Sequence, residues 1–299
     1  MKFTTLGKTN EQVSVVGLGT WQFGGEWGVD FTPEMVGSIF DAARDCGINL
    51  VDTAECYGDH LSESLVGAAI ESDRDNWFVA TKFGHHFDKK FTRTETKSAS
   101  DVVKQLEDSL KALRTDRIDC YQYHSWSNEQ VFDDEVQAAL LKAKDDGKVR
   151  FLGNSVPTKG ETSIQVAQCA EHQMDAIQIV YNRLVRGPEE TSFPICEKEN
   201  LGVMARVPLA SGYLSGKYKP GHKFLENEMR NLYHDDADRN GWLAEAEKIK
   251  AEEVPEGVNM AQWAIAWCLK HPAVSCVIPG VKNAEQVRSN AAAAEISLA

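Results

Sequence analysis

The feature that most constrains the fold is a regular alternation of β-type and helical segments from residue 15 onward. Eight short runs rich in branched and aromatic residues are each followed by a segment with apolar residues at helical spacing. Such alternation predicts a parallel sheet, because a crossover helix must separate consecutive parallel strands. Eight units of this kind predict an α/β fold in which the sheet closes into a (β/α)8 TIM barrel.

The boundaries of these segments can be read from turn and capping residues. Thr32 followed by Pro33 is a typical helix start, and Gly47 and Gly147 are typical helix stops. The predicted strands are residues 15–21, 48–51, 77–80, 118–123, 149–153, 176–181, 202–207 and 274–280. The predicted helices are residues 32–46, 61–70, 98–113, 131–146, 161–171, 193–199, 242–252, 260–270 and 284–294. The polar residues between 218 and 241 predict a long loop, which in a compact domain is usually functional.

A β-hairpin is predicted ahead of the first barrel strand. Residues 3–6 and 13–16 are β-type runs on either side of Gly7-Lys8-Thr9-Asn10, which has the composition of a turn. No linker rich in proline, glycine or serine interrupts the alternation that follows. Since one α/β barrel routinely has about this length, we expect residues 1–299 to form a single domain.

Composition and charge narrow the functional classes. With 42% hydrophobic and 26% charged residues, the chain has the make-up of a soluble globular protein. A formal net charge of −13 argues against a nucleic-acid-binding surface. The seven cysteines are odd in number and include no C-x-x-C pair, which favours reduced thiols over a disulfide framework. Neither a signal-peptide core nor an apolar run of membrane-spanning length is present, so we expect a cytoplasmic protein without membrane or nucleic-acid partners.

Polar residues with chemical potential follow three neighbouring strands. Asp52 and Tyr57 lie in the stretch that follows the second strand, Lys82 follows the third, and His124 ends the fourth. The carboxyl ends of parallel strands meet at one edge of a barrel, where such enzymes keep their chemistry. We therefore expect these four side chains to converge.

This arrangement resembles the aldo-keto reductases, whose tetrad is an Asp and a Tyr on D-x-A-x-x-Y-G, a Lys on the third strand and a His on the fourth. The match reads Asp52-Thr53-Ala54-Glu55-Cys56-Tyr57-Gly58, Thr81-Lys82-Phe83-Gly84 and Tyr121-Gln122-Tyr123-His124, in family order. The resemblance extends from Gly17 to Asn290. It implies a barrel plugged at its bottom by the N-terminal hairpin. It also implies reversible reduction of an aldehyde or ketone, with an alcohol or sugar hydroxyl oxidised in the other direction.

The tetrad has a chemical rationale. Tyr57 is the expected general acid, and since a free phenol has a pKa of about 10, a nearby ammonium from Lys82 is expected to lower it. Asp52 would keep Lys82 protonated and oriented. His124 would donate a hydrogen bond to the carbonyl oxygen.

The cofactor follows from the resemblance, which implies a nicotinamide dinucleotide, NADP(H) rather than NAD(H), without a Rossmann fingerprint. Residues 206–218 resemble the family's pyrophosphate loop, and residues 278–290 resemble its adenosine-phosphate segment. Lys282 lies just ahead of the last predicted helix, where a cation and a helix N-terminus together favour a phosphate. The expected cofactor residues are Thr20, Trp21, Ser155, Gln178, Arg206, Pro208, Leu209, Ser211, Leu214, Lys217, Gly280, Lys282, Gln286 and Asn290.

The sequence departs from the family pattern at three positions. Val156 replaces an Asn that commonly holds the carboxamide, and Gln286 replaces an Arg found in some members. Arg206 replaces an aromatic residue that stacks on the nicotinamide; its guanidinium could stack on a ring plane or contact a substrate anion.

The substrate is less defined. Trp21, Trp27, Trp126 and Tyr57 could line an aromatic pocket or could be packing residues, and residues 84–97 and 218–241 are expected to set specificity. Two other functions fit the same barrel. One is a non-catalytic nucleotide-binding subunit of a larger assembly. The other is a Schiff-base lyase using Lys82, which a neighbouring Asp52 disfavours by keeping the amine charged.

We expect no metal site from the sequence. It contains no H-x-H pair, and the adjacent His85 and His86 have poor ligand geometry on a strand or helix.

Overall fold

A parallel sheet forms the centre of the computed structural model, which describes residues 1–127, 131–158 and 162–298. Within these residues the strands are β1 Phe3–Thr5, β2 Gln12–Ser14, β3 Leu18–Gly19, β4 Leu50–Asp52, β5 Phe78–Phe83, β6 His85–Lys89, β7 Thr92–Glu95, β8 Ile118–His124, β9 Val149–Ser155, β10 Ala176–Val180, β11 Gly202–Arg206 and β12 Cys276–Ile278. The sheet has the order β3-β4-β5-β8-β9-β10-β11-β12, and every neighbouring pair is parallel. Chain order and spatial order therefore coincide around the sheet.

Hydrogen bonds between the first and last strands close this sheet into a barrel. Parallel bridges join Val16 to Val277 and Gly19 to Gly280. The Gly17 amide donates to the Val277 carbonyl at 2.8 Å. A side chain at Gly19 would place its Cβ 2.6 Å from the Ile278 carbonyl oxygen, so only glycine allows the two strand ends to approach this closely. The predicted (β/α)8 TIM barrel is confirmed.

Helices surround the barrel and begin where the capping residues predicted. Thr32 Oγ1 accepts a hydrogen bond from the Met35 amide, and Ser98 Oγ accepts one from Asp101, so two predicted caps are formed. The helices in the described residues are α1 Pro33–Asp45, α2 Leu61–Ile70, α3 Ala99–Ala112, α4 Asp134–Asp145, α5 Thr162–Glu171, α6 Phe193–Lys198, α7 Arg230–Tyr233, α8 Asp236–Glu252, α9 Met260–Leu269 and α10 Ala284–Ala292. The start of the helix predicted over residues 161–171 lies outside the described residues.

The N-terminal hairpin plugs the amino-terminal end of the barrel. Strands β1 and β2 pair antiparallel, and they place Leu6 and Val13, both fully buried, against the inward-facing residues Leu50 and Phe78 at the starts of the barrel strands. At Gly7, which has a φ of 51°, an added Cβ would lie 2.2 Å from the Gly202 amide nitrogen. The hairpin therefore seats tightly against the strand starts and seals that end.

Two segments differ from the predicted structure. Residues 218–241 do not form one long loop, because α7 and the first turns of α8 lie inside them. Asp235 was one of the polar residues that led to the prediction of a loop. It is instead the N-cap of α8, and its side chain accepts a hydrogen bond from the Asp238 amide at 2.8 Å. Between Gly84 and Lys97, where no element was predicted, strands β6 and β7 form an antiparallel hairpin. Among the described residues, no helix combines the length and the apolar character that a membrane span requires.

Candidate active site

A buried ion pair lies at the carboxyl ends of β4 and β5. The Lys82 ammonium donates to Asp52 Oδ1 at 2.7 Å and to the Thr53 carbonyl at 2.7 Å. Burial disfavours the charged form of Lys82, but the Asp52 carboxylate outweighs burial, and the pKa of Lys82 lies above its ordinary value. Lys82 is therefore an ammonium at neutral pH.

The Tyr57 hydroxyl is the next group in this chain of contacts. Lys82 Nζ donates to the Tyr57 oxygen at 3.4 Å, and the Tyr57 ring stacks against Trp21 with centroids 5.9 Å apart. Burial raises the pKa of Tyr57 to about 12, although the Lys82 charge acts to lower it. Lys82 thus acts on the pKa of Tyr57 in the expected direction, but burial is the larger effect and the net shift is upward. A phenol with this pKa keeps its proton at neutral pH and can give it away.

Side-chain amides hold the second oxygen of Asp52. Gln178 donates to Asp52 Oδ2 at 2.6 Å, and Gln122 donates to the same oxygen at 3.3 Å. Ser155 donates to Gln178 Oε1 at 3.4 Å. Ser155 and Gln178, expected at the cofactor, thus also belong to the network around Asp52. Gln122 was missed, although it lies two residues before His124 and so on the same face of β8.

His124 lies beside the Tyr57 ring, edge to face, with centroids 6.0 Å apart. Its Nδ1 lies 3.6 Å from Cys56 Sγ. Burial, followed by the positive charges of Lys82, Arg206 and Arg93, holds the pKa of His124 well below its ordinary range. A neutral imidazole with Nδ1 facing Cys56 can present its other nitrogen to a ligand.

Three further titratable groups surround the Nδ1 side of His124. Glu55 Oε1 accepts the His85 amide at 3.0 Å, and Glu55 Oε2 lies 3.8 Å from His124 Nδ1. The His85 ring meets the His124 ring edge to face at 4.8 Å. Burial raises the pKa of Glu55, and burial followed by the charge of His124 lowers the pKa of His85 to about 4. The sequence assigned no role to Glu55 or Cys56, because their partners lie on other strands.

A buried carboxylate connects the hairpin formed by β6 and β7 to the site. Glu26 is fully buried and accepts hydrogen bonds from the Trp21 indole at 3.0 Å, the Phe91 amide at 2.8 Å and the Arg93 guanidinium at 2.5 Å. Trp21 in turn stacks on Tyr57. The hairpin is therefore fixed relative to the tetrad through Glu26, a residue that no local pattern singled out.

A cluster of charged residues lies where the phosphate of a dinucleotide was expected. Lys282 donates to the Trp27 carbonyl at 2.6 Å and lies 3.6 Å from Glu228 Oε1. Arg230 donates twice to Glu228 Oε2, at 3.0 and 2.5 Å. Lys282 precedes helix α10, whose N-cap is Asn283. Lys282 ahead of a helix N-terminus fits a phosphate group, and Arg230 shares the carboxylate of Glu228 with it. Arg230 and Glu228 were missed because they lie in the segment predicted as loop.

Other expected cofactor residues line the same side. The backbone turns at Ser211 and Gly212, with φ values of 57° and 95°, and Arg230 donates to the Ser211 carbonyl at 3.2 Å. Asn290 is 5% exposed, and its amide nitrogen finds no acceptor among the described residues. A ligand with an acceptor atom would satisfy it, so these residues fit a dinucleotide.

Several expected residues have other partners. Thr20 donates to the Asp52 carbonyl at 2.9 Å, and the Arg206 guanidinium donates to the Val156 carbonyl at 2.9 Å. Gln286 accepts the Lys282 amide at 2.8 Å. Leu214 is fully buried in an apolar cluster, which leaves only its backbone available to a ligand. The remaining expected residues are Pro208, which is buried, Leu209, which is partly buried, Lys217, which is exposed, and Gly280, which pairs with Gly19.

The aromatic surface near Tyr57 is smaller than the sequence allowed. Trp126 is fully buried, packs edge to face on Phe83, and donates to the Gly84 carbonyl at 3.2 Å, so it is a packing residue. Trp21 and Trp27 contact each other edge to face at 5.1 Å. Trp21 stacks on Tyr57, and Trp27 lies against Trp21.

Comparisons with known proteins agree with this geometry. Residues 15–299 match the family model described as the aldo/keto reductase family. Three relatives are each 30% identical to the chain. They are the aldo-keto reductase YhdN of Bacillus subtilis (97% of this chain, 87% of the relative), the NADH-specific methylglyoxal reductase of Escherichia coli (100% and 95%) and a probable voltage-gated potassium channel subunit beta of Arabidopsis thaliana (99% and 92%).

Solved structures resemble the fold over the same extent. The holo form of the aldo-keto reductase AKR11C1 from Bacillus halodurans superposes with a TM-score of 0.82 at 28% identity, covering 100% of this chain and 92% of that one. The glycerol dehydrogenase AKR11B4 from Gluconobacter oxydans superposes with a TM-score of 0.83 at 28% identity, covering 99% and 91%.

Proposed function

The chain belongs to the aldo/keto reductase family, and on that premise we propose that it is an NADP(H)-dependent enzyme that reversibly reduces an aldehyde or a ketone to the alcohol. The observation that carries this proposal is the continuous chain of contacts from Asp52 through Lys82 to the Tyr57 hydroxyl. Such a chain places a protonated phenol beside a fixed positive charge, which is what protonation of a carbonyl oxygen needs.

Each residue of the tetrad has its own task. Tyr57 gives its proton to the carbonyl oxygen, and Lys82 stabilises the phenolate that remains, because its ammonium is already next to the oxygen. Asp52 keeps Lys82 charged and is itself oriented by Gln178. His124 donates a hydrogen bond to the carbonyl oxygen from the nitrogen that does not face Cys56. When bound, the nicotinamide supplies the hydride to the carbonyl carbon.

The residues that would hold the cofactor form two groups. Ser155, Gln178 and Arg206 lie at the strand ends and would hold the nicotinamide end. Lys282 and Arg230 would hold the phosphates, and Asn290 would bind the adenine end. Lys282 ahead of the α10 N-terminus, with Arg230 on the same Glu228 carboxylate, favours NADPH, which carries one phosphate more than NADH. NAD(H) is the alternative, and one relative is described as NADH-specific.

The substrate we propose is a small carbonyl compound or sugar. Relatives named for methylglyoxal and glycerol act on compounds with few carbons and several oxygens. The groups that lie next to Tyr57 and would face such a substrate are Trp21 and His124. We further propose that residues 1–299 form one domain and that the protein is cytoplasmic, in line with its free, mostly buried cysteines.

A second candidate is a nucleotide-binding subunit without turnover. The relative described as a probable potassium channel subunit beta favours it. The Schiff-base alternative has no such support, because the pKa of Lys82 is raised and a charged amine is not a nucleophile.

The deciding experiment is a fluorescence titration with NADPH and NADH, followed by reduction of an aromatic aldehyde. We expect NADPH to bind and Tyr57→Phe to lower turnover at least about 100-fold while leaving binding intact. Tyr121→Phe is the matched control, since Tyr121 is a buried tyrosine outside the tetrad whose hydroxyl finds no partner among the described residues. Binding without turnover on a broad carbonyl panel favours the subunit. If neither nucleotide binds, the reductase proposal is wrong.

A further inference from the structure

Four side chains that can bind metal ions converge on the Nδ1 side of His124. Glu55 and Cys56 follow strand β4, His85 begins β6, and His124 ends β8. One potential ligand atom from each lies within 4.8 Å of all the others. Glu55 and Cys56 are adjacent in the sequence, but His85 and His124 are far from them and from each other, so it is the fold that brings the four together.

Two of these groups are buried without a hydrogen-bond partner among the described residues. Glu55 is 3% exposed, and its Oε2 accepts nothing within hydrogen-bonding distance; His85 Nδ1 is likewise buried and unpaired. Buried polar atoms are almost always satisfied, because desolvating an oxygen or nitrogen without a partner costs about 1–3 kcal/mol. A group that accepts electron pairs from both atoms would remove that cost.

The separations suit one tetrahedral ion. Ligand atoms about 2.0–2.3 Å from a zinc ion lie roughly 3.3–3.8 Å from one another. Cys56 Sγ is 3.6 Å from His124 Nδ1, and Glu55 Oε2 is 3.8 Å from the same nitrogen. All the ligand atoms lie within 4.8 Å of one another, so the ion would draw the more distant ones closer. The His85 amide already fixes Glu55 through its other oxygen.

The charges also balance. A carboxylate and a thiolate together neutralise a divalent cation, and two imidazoles add nitrogen ligands of the kind zinc prefers. Arg93 is a cation near Cys56 that opposes a metal ion, but Glu26 pairs with it at 2.5 Å. Lys82 is paired with Asp52 in the same way.

We propose that Glu55, Cys56, His85 and His124 form a binding site for one divalent cation of the Zn²⁺ class. Coordination of His124 through Nδ1 leaves the proton on its other nitrogen and fixes the ring. The cation would then orient a tetrad residue without contacting the reacting carbonyl. This site does not depend on the proposed reaction, because cation binding can be measured without substrate or nucleotide.

The test uses full-length protein without an affinity tag, stripped with a chelator and titrated with Co²⁺ as a spectroscopic probe. We expect one ion per chain, the visible bands of tetrahedral cobalt and a thiolate-to-cobalt charge-transfer band, with Zn²⁺ displacing the Co²⁺. Cys56→Ser should abolish the charge-transfer band, and His85→Gln should weaken binding at least about tenfold.

His86→Gln is the matched control, since His86 is the exposed neighbour of His85 and lies outside the cluster. Cys46→Ser controls for binding at a partly exposed thiol. If Cys56→Ser does not fold, His85→Gln alone carries the test, because His85 is only partly buried. Absence of stoichiometric Co²⁺ binding overturns the proposal. Binding that His85→Gln and His86→Gln weaken equally, or that neither weakens, overturns it as well.

Discussion

The Lys82 ammonium lies 2.7 Å from Asp52 Oδ1, and both residues are almost completely buried, at 0% and 3% exposure. Breaking a buried pair of this kind is costly because the remaining charge loses its counter-ion and stays buried with only neutral hydrogen-bond partners. The pair therefore has a structural role besides any role in proton transfer, and the two roles can be separated by substitution.

Lys82→Met should lower the free energy of unfolding by about 3–5 kcal/mol and abolish turnover, because the buried Asp52 carboxylate loses its counter-ion. Asp52→Asn combined with Lys82→Met should recover part of that stability and none of the activity. Urea denaturation measures the first quantity and initial rates measure the second. A double variant no more stable than Lys82→Met would contradict the ion-pair argument.

The pKa of Tyr57 predicts a loss of stability at high pH. Folding raises this pKa to about 12, whereas an unfolded phenol titrates near 10. The contribution of Tyr57 is therefore fully present below about pH 10 and is lost as the pH rises through about 12, because the unfolded chain releases its proton first. Tyr57→Phe has no ionisable hydroxyl at this position. The free energy of unfolding of wild type should therefore fall relative to that of the variant between about pH 10 and pH 12. Parallel stability curves would show that the pKa of Tyr57 is not raised.

Glu228→Gln should shift cofactor preference towards NADPH. The carboxylate now pairs with both Lys282 and Arg230, and an incoming phosphate must compete with it. We expect the Kd for NADPH to fall about threefold to tenfold and the Kd for NADH to change less. Glu226→Gln is the control, because Glu226 is exposed nearby. Equal changes for both nucleotides would mean that these cations do not meet the extra phosphate.

Glu26→Gln should loosen the hairpin formed by β6 and β7. Arg93 would then bond to a neutral amide in place of a carboxylate, which should weaken this hydrogen bond by about 2 kcal/mol. We expect faster hydrogen exchange over residues 85–95 and a higher KM with a smaller change in kcat. Glu95→Gln is the control on the same hairpin, since its ion pair with Lys97 is partly exposed. If the rate of hydrogen exchange over residues 85–95 does not change, Glu26 does not hold the hairpin in place.

The fold was predictable because its signal is local and repeated. The barrel strands and most of the helices are indicated by periodicity and by caps such as Thr32 and Ser98, and closure follows from the number of units. The convergence of Asp52, Lys82 and His124 required nothing more than parallel strands ending at the same edge. The D-x-A-x-x-Y-G motif added Tyr57.

What the sequence did not predict depends on distance and environment. The contact between Glu26 and Arg93 joins a loop residue to strand β7, and no local pattern encodes it. Aspartate is common both in loops and at helix N-caps, and Asp235 is a cap because helix α8 follows it. The pKa of Tyr57 depends on the degree of burial, which outweighs the charge of Lys82. The sequence indicates that charge but not the burial.

Closure of the barrel through Gly17, Gly19 and the last strand also constrains how the protein is made. The strands that complete the ring lie almost the whole length of the chain apart, so during synthesis the first strand must wait, with its amides unpaired, until the last one leaves the ribosome. Contacts so distant in sequence form late and leave sheet edges open to other chains meanwhile. The nascent protein should therefore depend on chaperones until its C-terminal strand is available.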